Sequence, residues 1–199
     1  MEDQSGRVDN LVELYHNFLE YDRVAKEPLS AVMYQILPLR DELYNSKVKI
    51  DEFNDSAIHI ASKNRNEQIS KFLKPVIDKM KILNTLIEEN LIPQYILYNQ
   101  SINNAIEFVK DIAGTDFGQH PDPRNEIVKV SNERIELFAS IGKNFPILFK
   151  RVEDTLNTDP YFISERTKFL KNSAIFLEHT NSLKQNFERL NLECNSSKM

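Results

Sequence analysis

Two of the chain's four glycines and two of its eight prolines fall between Ala113 and Pro123. Gly114, Gly118, Pro121 and Pro123 crowd that stretch with turn residues, so it must be a loop. On both sides of it such residues are sparse. Sheet-rich and loop-rich folds need more of them. The rest of the chain therefore has to be mostly helical. At 199 residues it is long enough for one domain with a well-buried core.

The apolar spacing divides the chain into helices. Residues 1–6 are polar and loose. Arg7 to about Lys26 reads as a helix, with Leu11, Leu14, Phe18, Tyr21 and Ala25 spaced as an a/d heptad seam. About two heptads cannot stand alone, so this seam packs either onto the domain or against a second copy. A second helix is expected over 28–46, opened by Pro28 and kinked or split by Pro38. A third spans about 48–62, with Ile50, Phe53, Ala57, Ile58 and Ala61 on one face. The polar stretch Ser62-Lys-Asn-Arg-Asn66 reads as a turn.

The segment 67–91 has the clearest stripe: Ile69, Phe72, Leu73, Val76, Met80, Leu83, Ile87 and Leu91, interrupted by Pro75. Pro93 opens the next helix, to about Ile112, whose apolar residues include Ile96, Leu97, Ile102, Ile106, Phe108 and Val109. After the loop, helices are expected at 124–143, 146–157 and 160–192. Asp159-Pro160 reads as an N-cap followed by proline in the first helical turn. Phe162, Ile163, Phe169, Leu170, Phe176, Leu177, Leu183, Phe187 and Leu190 make the last helix amphipathic. The expected architecture is all-α: an antiparallel bundle of about six helices over 21–192, preceded by a coiled-coil-like segment at 1–20. A tail at 193–199 follows, its end Asn195–Met199 disordered.

Composition narrows the function. The formal net charge is −5 and no long run of like charge stands out, which argues against nucleic acid as the main ligand and against docking on anionic membranes. No stretch of about 18 apolar residues could span a bilayer. The N-terminus lacks the pattern of a signal peptide, and the single cysteine, Cys194, has no partner for an internal disulfide, so the cytoplasm is the expected location. Glycines at 6, 114, 118 and 142 form no phosphate loop, and His16, His59, His120 and His179 have no ligand spacing. No nucleophile elbow exists. Glu88 and Glu89 are adjacent, so on a helix they point about 100° apart and read as a solvated face rather than an acid/base pair. No cofactor or metal is expected, and the expectation is a binding module without enzymatic activity.

From Tyr21 onward the chain resembles the N-terminal helical domain of the cyclase-associated proteins, which regulate actin. That family has an aromatic-Asp pair and then Pro-Val; here stand Tyr21-Asp22 and Pro28-Leu29. Its Ala-Ser-Lys turn and Leu-Leu-x-Pro-Ile are matched by Ala61-Ser62-Lys63 and Phe72-Leu73-Lys74-Pro75-Val76. Its Arg-Glu-x-Asn-Arg is matched by Ile87-Glu88-Glu89-Asn90-Leu91, which keeps Glu and Asn and loses both arginines. Its Pro-x-Pro loop resembles His120-Pro121-Asp122-Pro123, with a short insertion. Its coiled-coil core resembles Asn10-Leu11-Val12-Glu13-Leu14. The family's Gly-Trp pair is replaced by Lys110-Asp111, and its Asn-Arg-Val-Leu-Lys helix motif is not preserved.

The resemblance implies binding to actin and cofilin and promotion of filament turnover. It implies a cytoskeletal location, oligomerisation through Leu11, Leu14, Phe18 and Tyr21, and adenylyl cyclase as a further partner. The candidate partner-binding residues are Glu88, Asn90, His120, Pro121, Pro123 and Arg124. As the family's C-terminal half is not in this sequence, disassembly without monomer recharging is the expected activity. The lost arginines would have been strong donors toward an acidic partner. The competing expectation is a structural subunit of a larger coiled-coil assembly, of tethering or kinetochore type, without actin binding.

Overall fold

The computed structural model describes residues 4–56, 62–145, 148 and 159–198. They form α1 (Gln4–Ser56), α2 (Ser62–Leu86), a π-helical turn (Ile87–Leu91), α3 (Ile92–Asp111), α4 (Pro123–Asn144) and α5 (Pro160–Ser196), with no strand among them. Because the π turn joins α2 to α3 without a break, the described residues make four rods. The all-α class holds. The six-helix count does not: α1 alone runs through three expected helices, and α2 with α3 through two.

The reason lies in where the prolines point. A proline inside a helix costs about 3 kcal/mol, chiefly through a lost hydrogen bond and a clash with the carbonyl four residues back. In α1, Pro38 is exposed and Pro28 half-buried; in α2, Pro75 is exposed. The carbonyls they deprive, Val24, Tyr34 and Lys71, belong to residues that are themselves half-buried or exposed, within reach of water. Each proline is followed directly by a fully buried residue: Leu29, Leu39 and Val76. Breaking the helix there would give up roughly 1.5–3 kcal/mol of burial for each.

Pro93 is handled differently. The Ile92 N–H reaches back to the Ile87 carbonyl, which widens the turn just before the proline. Pro93 follows as the second residue of α3, and the carbonyl it deprives, that of the exposed Glu89, is within reach of water.

Two more expectations are corrected. The 62–66 stretch is helical, and Arg65 donates from Nε (3.1 Å) and Nη2 (2.7 Å) to Asn54 Oδ1 across the α1–α2 hairpin. The expected tail is mostly helix. α5 continues to Ser196, Cys194 is buried, and the Ser197 carbonyl accepts from the Gly114 N–H at 3.2 Å. Ala57, Ile58, Ala61 and nearly all of the expected helix at 146–157 lie outside the described residues.

Cross-contacts fix the topology. α1 runs antiparallel to the α2–α3 rod, since Ser46 donates to the Phe72 carbonyl near one end and Tyr15 stacks on Phe108 near the other. α4 and α5 are antiparallel through Phe138–Phe176 and Phe145–Phe169. α1 lies parallel to α4, and the α2–α3 rod parallel to α5. Going around the bundle, the order is α1, α2–α3, α5, α4. The loop at 112–122 therefore crosses the end of the bundle diagonally. One core cluster runs through all four rods, and Phe18, Tyr98, Phe138 and Phe176 are buried in it.

The expected seam belongs to this core. Phe18 and Ala25 are buried, and Leu11 and Leu14 pack against the cluster half-buried; Tyr21 is also half-buried. The seam thus packs onto its own domain, and α1 continues without a break across the expected boundary at residue 20.

Candidate interaction surfaces

The six expected partner-binding residues fall in two places. Glu88 and Asn90 lie on the π turn; His120, Pro121, Pro123 and Arg124 lie at the end of the bundle. About 20 residues of helix separate the two, or about 30 Å at 1.5 Å per residue. The structure does not bring them together.

At the π turn, Glu88 is tied to α5. Its carboxylate accepts from Lys168 Nζ at 2.9 Å and from Asn172 Nδ2 at 3.0 Å. These two donors hold its pKa below the ordinary carboxylate value. Asn90 is exposed and lines a groove of ≈ 340 Å³ between α1 and the π turn, with Glu27, Pro28, Glu89 and Gln94.

At the bundle end, Gly114 (φ 74°) and Gly118 (φ 58°) take the left-handed conformation that the loop needs and that other residues resist. The loop walls a cleft of ≈ 430 Å³ with His120, Asp122, Arg124, Ser197 and Lys198. His120 and Pro121 are exposed and Pro123 is half-buried at the first turn of α4. Arg124 is not a free donor. It is only 5% exposed; its Nε donates to both Asp122 oxygens at 2.9 Å and its Nη1 to the Ser197 carbonyl at 2.8 Å. Its guanidinium also lies 5.4 Å from the Phe117 ring centroid. Burial opposes the charge on Asp122, yet the Arg124 donors hold its carboxyl below the usual value. Arg124 clasps the α5 terminus to the loop.

Asp22, half of the aromatic-Asp mark, is equally committed. Arg134 Nε and Nη2 each donate to one of its oxygens at 2.8 Å, and both side chains are nearly buried.

A surface that the sequence analysis did not single out is on α1. Its inner face buries Leu29, Val32, Ile36, Leu39 and Leu43. Its outer face carries Tyr34, Leu37 and Tyr44, which are 77%, 54% and 62% exposed. At 100° per residue these three lie within roughly 80° of arc. With Asp41 they follow the i, i+3, i+7, i+10 spacing of a heptad seam. The spacing was present in the sequence, but expecting helix 28–46 to kink or split at Pro38 hid its second face. Ile96, Leu97, Ile163 and Leu170, expected among the apolar faces, are exposed on other rods.

Among the described residues, no group of three or more His, Cys, Asp or Glu side chains is placed to hold a metal ion, and no helix is long and apolar enough to cross a membrane. Comparison of the chain with family models, with curated proteins and with solved structures finds no match.

Proposed function

We propose that this chain is a non-enzymatic structural subunit of a helical assembly and joins its neighbours through the outer face of α1. The observation that supports this reading is the row Tyr34, Leu37 and Tyr44. A helix that only covers its own core needs one apolar stripe. α1 has two, and the second faces solvent with heptad spacing. The test is a tagged chain recovered from its own cells beside the variant Tyr34→Glu/Leu37→Glu/Tyr44→Glu. Coiled-coil chains that co-purify with the first should be missing from the second. The same set in both would refute the reading.

The resemblance supports a second reading, an actin- and cofilin-binding regulator of filament turnover. What favours it is the exposure of Asn90, His120 and Pro121. Against it stand the separation of the two places and the burial of Arg124. Cosedimentation with cofilin-decorated filaments at micromolar protein decides: saturable binding, lost when His120 and Pro121 are replaced, would favour it over the first.

A further inference from the structure

Resting on the reading of the α1 row as an interface, we propose that its occupant is a helix of another protein. That helix presents one bulky apolar residue with a lysine or arginine four positions away. The row borders a recess of ≈ 180 Å³ lined by Met33, Ile36, Leu37, Arg40, Asn144 and Leu148. Met33, Ile36, Leu37 and Arg40 stand at i, i+3, i+4 and i+7. That is the four-residue hole into which a partner helix inserts a knob. Asn144, the last residue of α4, and Leu148 beyond it complete the lining.

Asp41 sets the chemistry of the partner. It lies four to five residues along α1 from the centre of the hole, on the row itself, and is 68% exposed. Its contact with Arg40 is long at 3.5 Å and open to water, so it holds the carboxylate only weakly. A helix packed on the row places its own residue four positions from the knob against Asp41. A cation there is attracted and an anion repelled.

A second copy fits badly. A two-fold axis that seats Tyr44 in the recess of another copy passes near residue 40. It sets Arg40 beside the other copy's Arg40 on one flank and Asp41 beside Asp41 on the other. Parallel pairing again stacks Asp41 on Asp41.

The probes are two synthetic three-heptad helical peptides with leucine every seventh residue. One has lysine four residues to either side of each leucine, the other glutamate. The purified full chain should bind the lysine peptide about two- to fivefold more tightly by fluorescence anisotropy. Asp41→Lys should reverse the preference, and Leu37→Asp should weaken both peptides while the circular dichroism stays unchanged. Equal binding of both peptides, binding of neither at 200 µM peptide (about a hundredfold above ordinary micromolar affinities), or a chain that dimerises through the row would each overturn the proposal. In the first two cases, loss of co-purifying helical chains in the row variant would still leave the structural-subunit reading standing.

Discussion

The bundle has two seams where neighbouring rods run parallel, and they are built from opposite materials. α1 meets α4 chiefly through one nearly dry, two-pronged ion pair, Asp22–Arg134, beside the buried Tyr98, with one exposed tie nearer the bundle end, from the Tyr15 hydroxyl to the Glu126 carboxylate. The α2–α3 rod meets α5 through a ladder of separate polar ties: Ser70–Asp159, Asn84–Glu165, Glu88 with Lys168 and Asn172, and Asn99–Asn186. The antiparallel seams carry the aromatic pairs Tyr15–Phe108, Phe53–Phe72, Phe138–Phe176 and Phe145–Phe169 beside polar ties such as Arg65–Asn54. A dry pair concentrates the cost of error at one register, because its loss leaves a charge without water. A ladder spreads the same task over several ties, the outer ones of which solvent can replace.

The largest effect should come from breaking the dry seam. Asp22→Ala leaves Arg134 buried without its partner and should cost about 3–5 kcal/mol in urea unfolding. Asp22→Leu with Arg134→Met should recover most of that loss. A loss below about 1 kcal/mol for the single variant would remove the contrast.

On the ladder, Asn84 is the most deeply buried side chain. Its amide donates to the Glu165 carbonyl at 3.1 Å and carboxylate at 3.0 Å. Asn84→Ala should cost about 1–3 kcal/mol, less than Asp22→Ala, since no charge is stranded.

Glu88 tests the wet end. Its side chain is 38% exposed and its pKa lies below the ordinary value, so its ties stabilise the fold above the unfolded-state pKa. That contribution is lost as pH falls through the folded value. Glu88→Gln should cost less than about 1 kcal/mol at pH 7. The gap from the wild type should close in acid and shrink in high salt. A gap that widens in acid would reverse the sign.

The smallest effect belongs to the Tyr98 hydroxyl, which is buried beside Asp22 and Ser131 without a hydrogen bond of good geometry to either. Tyr98→Phe should change stability by less than about 0.5 kcal/mol or raise it slightly. A loss of 1 kcal/mol or more would make the hydroxyl a working member of the dry seam.

These seams show what could be read in advance. The helical class, the 113–123 loop and the Asp159-Pro160 start follow from local chemistry. In the structure the Asp159 carboxylate caps α5 by accepting from the Tyr161 and Phe162 N–H groups at 2.8 and 3.0 Å. The helix count required knowing which side of each rod faces water, since Pro28, Pro38 and Pro75 end a helix only if it cannot bend around them. The end of α5 was legible: Leu183, Phe187, Leu190 and Cys194 keep their four- and three-residue spacing into the expected tail. The pairing of Asp22 with Arg134 was not, because 112 residues separate them and only the topology joins them. Arg124 shows the same gap, as its partners are a neighbouring carboxylate and a carbonyl 73 residues away.

That last contact also sets an order in time. A ribosome adds about 5–20 residues per second, so the 73 residues between Arg124 and Ser197 take roughly 4–15 s to make. The α1–α2 hairpin is finished well before then, and its apolar inner faces must wait for α5. During synthesis the diagonal loop stays open, with the Arg124 guanidinium still hydrated. The loop and the α5 terminus can join only once Ser197 is made, so this end of the bundle closes no earlier than that.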